Sequence, residues 1–145
     1  IIVSLKDGKV VAGAGSAEME LSKQLRQFSS TLSGREQLAV QSFADSVEIV
    51  PRTLAENAGF DPIDVLTELK SAHASQKWAG INVFTGKVMD AWKEGVIEPL
   101  KIKLQAISSA SEVATMILRI DDVIAAGSPK GPQMPHGAHG EMPEM

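Results

Sequence analysis

Three stretches of this chain carry groups that could do chemistry. Gly13-Ala14-Gly15-Ser16 is a glycine-containing turn ahead of a periodic apolar segment, where backbone can approach a ligand closely and helix N–H groups stay unpaired. The same four residues also read as an ordinary strand-to-helix turn with Ser16 as N-cap, which is the commoner use. Glu98-Pro99 offers a carboxylate that could accept hydrogen bonds from the vicinal hydroxyls of a sugar. An acid just before a Pro-initiated helix is equally favoured by the helix dipole. Asn82, flanked by Ile81, Val83 and Phe84, could read a base edge with its carboxamide against an apolar wall, or simply serve a turn. Geometry decides each case.

Other candidates are weaker. Asp121-Asp122 would point to opposite faces of a strand and make poor joint ligands for a cation, so solvent or inter-subunit contact suits them better. His73 is solitary on a helix and reads as structural or exposed. His136 and His139, near Met134 and Met142, lie in a composition-biased tail rather than a soft-metal site. Trp78 and Trp92 have no aromatic partners spaced as a stacking platform and read as packing. The motifs GxxxxGK[ST], GxSxG and HExxH do not occur. A self-sufficient enzyme is therefore not expected, and no catalytic or metal-ligating residue is assigned.

The elements that must position these groups are mostly helical. Ile1–Leu5 and Lys9–Ala12 flank Asp7-Gly8 and by local rules form a hairpin. Ala17–Leu32 keeps Leu21, Leu25, Phe28 and Leu32 on one helical face. Ser33 and Glu36 have capping-box spacing, which predicts a second helix through Ile49. Pro51 fits the first turn of a short helix that Gly59 ends, and Asp61-Pro62 starts another to about Ala74. Ile81–Phe84, Thr85-Gly86 and Lys87–Met89 predict a small hairpin. The longest helix is expected from Pro99 to Leu118, with Ile102, Ala106, Ala110, Val113 and Ile117 at helical spacing, followed by a strand from Ile120 to Ala126. Residues 128–145 contain no Val, Ile, Leu or Phe but four Pro, the composition of a mobile tail.

At 145 residues and 43% hydrophobic content the chain suits one domain. A net charge of −4 with scattered Lys and Arg gives no basic stripe for a phosphate backbone, so nucleic acid is not an expected partner. The absence of Cys fits a reducing compartment, and no apolar run approaches a bilayer span, so a cytoplasmic location without membrane contact is expected. The opening Ile1-Ile2-Val3, with no Met, predicts a fragment of a longer chain.

Several stretches together resemble the archaeal-type group II chaperonins (thermosomes). They are Val10–Glu18, Ser33–Ala39, the run PRTLAENAG at Pro51–Gly59, Asn82–Gly86, Gly95–Leu100 and the run RIDDVIAA within Leu118–Ala126. Their order and spacing agree over about residues 9–126.

The resemblance implies a mainly α fold, the C-terminal half of a helical equatorial domain with a small β-hairpin and a C-terminal strand. Residues 1–8 would then end the connection from the intermediate domain, so Ile1–Leu5 becomes the end of a long helix and only the second strand of the first hairpin is kept. Residues 9–127 would supply half of an ATP-binding domain, and 128–145 a tail hanging into the ring's cavity. The closing strand would join a neighbouring subunit's sheet. Carried over by position, Gly13, Ala14 and Gly15 line the nucleotide, Asn82 and Val83 the adenine, and Glu98 the ribose. ATP or ADP is the implied cofactor, with Mg2+ held by parts of the subunit outside this chain. The phosphate-binding Gly-Asp-Gly-Thr loop, the metal-binding Asp and the water-activating Asp all lie upstream, as does the apical domain that binds unfolded clients. Other subunits of a stacked double ring are the implied partners. The family usually has three glycines where this chain has Gly13-Ala14-Gly15, and the site is expected to persist if Ala14 needs no positive φ. A stand-alone helical interaction module and a nucleotide-independent ring scaffold are the competing functions.

Overall fold

In the computed structural model the described residues are 8–122. The expected end of a descending helix at Ile1–Leu5, the tail and its histidines lie outside them. The chain divides after Ser109 into two compact units.

The first unit holds the core. Strand β1 (Val10–Ala12) leads through Gly13–Gly15 into helix α1 (Ser16–Ser29), followed by α2 (Gly34–Val47), α3 (Ile49–Asn57) and α4 (Pro62–Ala72). Two strands then form a hairpin, β2 (Ala79–Ile81) and β3 (Val88–Asp90), and β4 (Ile97–Pro99) precedes the long helix α5 (Leu100–Leu118). Met19 of α1, Ala55 of α3, Val65, Leu66 and Leu69 of α4, and Ala79 and Ile81 of β2 form one buried cluster, with Phe60 and Val88 packed on it. The second unit, in its described part, comprises the last turns of α5 and residues 119–122. Among the described residues no helix is long and apolar enough to cross a membrane.

Local chemistry accounts for the start of α4 and the end of α3. Asp61 caps α4, its carboxylate accepting from the backbone N–H of Ile63 at 2.8 Å and Asp64 at 3.4 Å, with Pro62 in the first turn. Helix α3 ends in a Schellman arrangement: Gly59 takes φ 81°, its N–H donates to Glu56 O, and Phe60 N–H donates to Ala55 O. That turn delivers Phe60 to the core.

Several expectations are corrected. Ser33 makes no capping hydrogen bond, because Gly34 adopts φ 63° and breaks the helical geometry a capping box needs. Gly15, not Ser16, is the N-cap of α1. The hairpin strands are Ala79–Ile81 and Val88–Asp90, paired Ile81↔Val88 and Ala79↔Asp90, so Asn82–Phe84 belong to the turn. Their strand-like composition is overridden by Asn82, whose Oδ1 accepts from the N–H of Phe84 at 3.0 Å and Thr85 at 3.3 Å. Glu98-Pro99 is a strand, not a helix start, because it pairs with β1. Ile120–Asp122 has no strand structure, and the rest of that expected strand lies outside the described residues. Helix α5 forms as expected, yet none of Ile102, Ala106, Ala110, Val113 and Ile117 is buried. Trp78 and Trp92 do stack, with centroids 5.4 Å apart, because the hairpin brings the residues outside its two strands together. His73 is buried, with Nε2 2.8 Å from Ala79 O and Nδ1 3.2 Å from Glu20.

Candidate nucleotide site

The Gly13–Gly15 turn touches both other candidate stretches, Glu98 through Gly13 and Ile81, the residue before Asn82, through Ala14. Strand β1 runs antiparallel to β4 with Val11 opposite Glu98, and Gly13 continues the ladder by donating its N–H to Val96 O at 2.8 Å. Gly13 is thus the diagonal neighbour of Glu98 on the same face. A Cβ built on Gly13 would sit 2.7 Å from Glu98 Oε1, so the carboxylate occupies the space a side chain would fill. Two residues 85 positions apart in the chain (98 − 13) are in contact.

Ala14 ties this pair to the hairpin. Its carbonyl accepts from Ile81 N–H at 2.9 Å, which sets Asn82 directly beyond the bond. A Cβ on Gly80 would lie 2.9 Å from Ala14 Cβ, so the hairpin passes the turn at backbone distance. Ala14 itself has φ 55°. The condition attached to this position, that Ala14 need no positive φ, is therefore not met: closing β1 onto α1 while bonding to Ile81 puts it in the left-handed region, at about 1–2 kcal/mol for a residue with a Cβ. Gly15, at φ 75°, turns against Pro51, whose Cβ would be 2.8 Å from an added Cβ. Gly13 and Ala14 thus face Glu98 and the hairpin, whereas Gly15 faces α3.

Sequence reasoning missed two members. Lys103, in the first turn of α5, reaches Glu98 Oε2 at 2.8 Å and Glu18 Oε1 at 2.5 Å. The Glu18 side chain is 7% exposed and that of Glu98 38%, so one ammonium bridges a buried carboxylate and an open one. Burial works to lower the Lys103 ammonium, but its bonds to Glu18 and Glu98 outweigh that and hold it raised. Glu18 Oε2 and Ser16 Oγ are buried without a partner. The spacing of Glu98 and Lys103 fits neither a helical nor a strand pair, so no local pattern flags it.

A cavity of about 350 Å³ opens beside Lys103 and Glu18, with Val11, Leu21, Trp78 and Leu104 in its apolar lining; Gly13, Ala14, Asn82 and Glu98 do not line it. A larger one, about 480 Å³, lies over α1 and α4. Its charges are paired among themselves: Arg26 bonds Asp45 and Glu48, Lys70 bonds Glu48 at 2.7 Å, and Lys23 donates to His73 O. It is a structural network.

The chain's relatives agree with this architecture. The TCP-1/cpn60 chaperonin family matches residues 2–128. The chain is 60% identical to the thermosome subunit beta of Archaeoglobus fulgidus over all of its own length and 27% of that protein's. It is 53% identical to the thermosome subunit beta of Methanothermobacter thermautotrophicus, again over its whole length and 28% of the relative's. The chain thus spans just over a quarter of these relatives. Its fold is similar to the open-state monomer of a group II chaperonin from Methanococcoides burtonii, with a TM-score of 0.75 and 59% identity over 79% of this chain and 29% of that one. The mainly helical architecture, with its short strands, is accordingly that of a chaperonin equatorial domain. On sequence and fold alike, the chain belongs to the TCP-1/cpn60 chaperonin family.

Proposed function

We propose that this chain supplies the base- and sugar-binding side of an ATP site in a chaperonin subunit, whose whole chain folds client proteins in a double-ring cavity. The observation that carries the reading is the convergence of Gly13-Ala14, Asn82 and Glu98 through the Gly13–Glu98 contact and the Ala14–Ile81 hydrogen bond.

The residues fit such a ligand. Glu98 is a partly open carboxylate, an acceptor for two neighbouring hydroxyls. The oxygen of Asn82 is committed to the turn, which leaves its NH2 to donate to a ring nitrogen of the base. Val83, 39% exposed, offers apolar surface to the base's face. The Gly13-Ala14 backbone sets the depth of the site, since Glu98 fills the room beside it.

ATP, when bound, supplies the phosphoryl group whose hydrolysis drives the subunit. The residues here bind and orient the nucleoside, and Mg2+ and the reacting phosphates fall to other parts of the subunit. Neighbouring subunits and unfolded clients are the partners. Replacing Glu98 by Ala in the full-length subunit is expected to weaken ATP binding roughly tenfold, the size of one hydrogen bond to a charged group. Calorimetric titration measures this, and an unchanged affinity removes Glu98 from the site.

A further inference from the structure

Lys103 stands between two carboxylates that differ in freedom. Glu18 is buried on α1 and cannot leave, so its 2.5 Å contact pins the ammonium. Glu98, on β4, is partly open and would otherwise rotate about its side-chain torsions. With Oε2 on Lys103 at 2.8 Å and Oε1 against the Gly13 backbone, its carboxylate is held in one orientation. Two carboxylates and one ammonium also leave the group with a net negative charge, so Glu98 remains an acceptor.

We infer that Lys103, anchored by Glu18, is the positioning residue that aims the Glu98 carboxylate at the vicinal hydroxyls of the nucleotide. The inference rests on the proposed function. Its physical basis is preorganisation: a freely rotating Glu gives up rotamer freedom on binding, a loss comparable to what one charged hydrogen bond contributes. A Glu already held gives up little. Lys103 therefore governs how much the hydroxyls count, rather than whether a nucleotide binds at all.

The test compares ATP with 2′,3′-dideoxy-ATP in the full-length subunit by titration calorimetry. The wild type is expected to prefer ATP roughly tenfold. Lys103→Met is expected to bring the ratio of the two dissociation constants close to one while dideoxy-ATP binds as before. Because Lys103→Met leaves Glu18 buried without a counter-charge, the double variant Lys103→Met/Glu18→Gln repeats the measurement with that burden removed. A wild type with the preference and a double variant that keeps it would overturn the role of Lys103 and leave the site reading standing. A wild type without any preference would overturn the Glu98 reading and this inference with it. A merely structural Lys103 would weaken both nucleotides equally and leave the ratio unmoved, which also contradicts the inference.

Discussion

The carboxylate of Glu98 rests against the backbone of Gly13, with Oε1 2.7 Å from where a Cβ on that glycine would stand. Gly13 itself needs no positive φ, so its glycine identity is explained by this contact and by Val96, whose Cγ1 would lie 3.2 Å away. The contact makes the first prediction. In Gly13→Ala the cheapest response is rotation of the Glu98 side chain out of its hold on Lys103, a partly exposed ion pair, so stability should fall by only about 1 kcal/mol. ATP affinity of the full-length subunit should nevertheless fall roughly tenfold. Thermal melting and calorimetric titration on the same sample separate the two effects, and intact affinity would contradict the role given to this pair.

Ala14 and Gly80 make the second prediction. Ala14 occupies φ 55°, and its Cβ blocks a side chain at Gly80. Ala14→Gly should stabilise by about 1 kcal/mol, the relief of left-handed strain less the added freedom of the unfolded glycine. Gly80→Ala should cost about 2 kcal/mol alone and less in the Ala14→Gly background. Strict additivity in a double-mutant cycle of melting stabilities would show that the two do not meet.

How much of this was legible in the sequence follows from the range of each interaction. Asp61-Pro62 and Gly59 announced their helix ends correctly, because a cap is settled within four residues. The family motifs likewise identified the fold; of the residues they point to, Gly13 lies against Glu98 and Ala14 is bonded to Ile81, next to Asn82. Strand β4 was not legible: Glu98-Pro99 has the local grammar of a helix start, and only pairing with β1 makes it extended. Lys103 was invisible for the same reason, since its partners come from α1 and β4. The exposed apolar residues of α5 show the converse, a periodicity that predicts the helix without telling which face is covered within this segment.

Glu48 makes the third prediction, on pH. Burial works to raise its carboxyl, but hydrogen bonds from Lys70, Ser22 and Arg26 outweigh that and hold it below the ordinary carboxylate range. A depressed carboxyl contributes stability that is fully present above its unfolded value and is lost as pH falls through the lower folded one. Glu48→Gln should therefore lower stability near neutral pH by about 2 kcal/mol and flatten the acid limb below about pH 4.5. Melting temperatures from neutral to acid pH check this; parallel curves for wild type and variant would show that Glu48 does not titrate between folded and unfolded states.

The proposed nucleoside side of the ATP site consists of Gly13-Ala14, Asn82 with Val83, and Glu98. Its most direct test is a structure of the full-length subunit with ADP bound. The ribose hydroxyls should lie within hydrogen-bond reach of Glu98, about 2.6–3.2 Å, with the base beside Asn82 and Val83. ADP bound with its sugar away from Glu98 and its base away from the hairpin turn would contradict it.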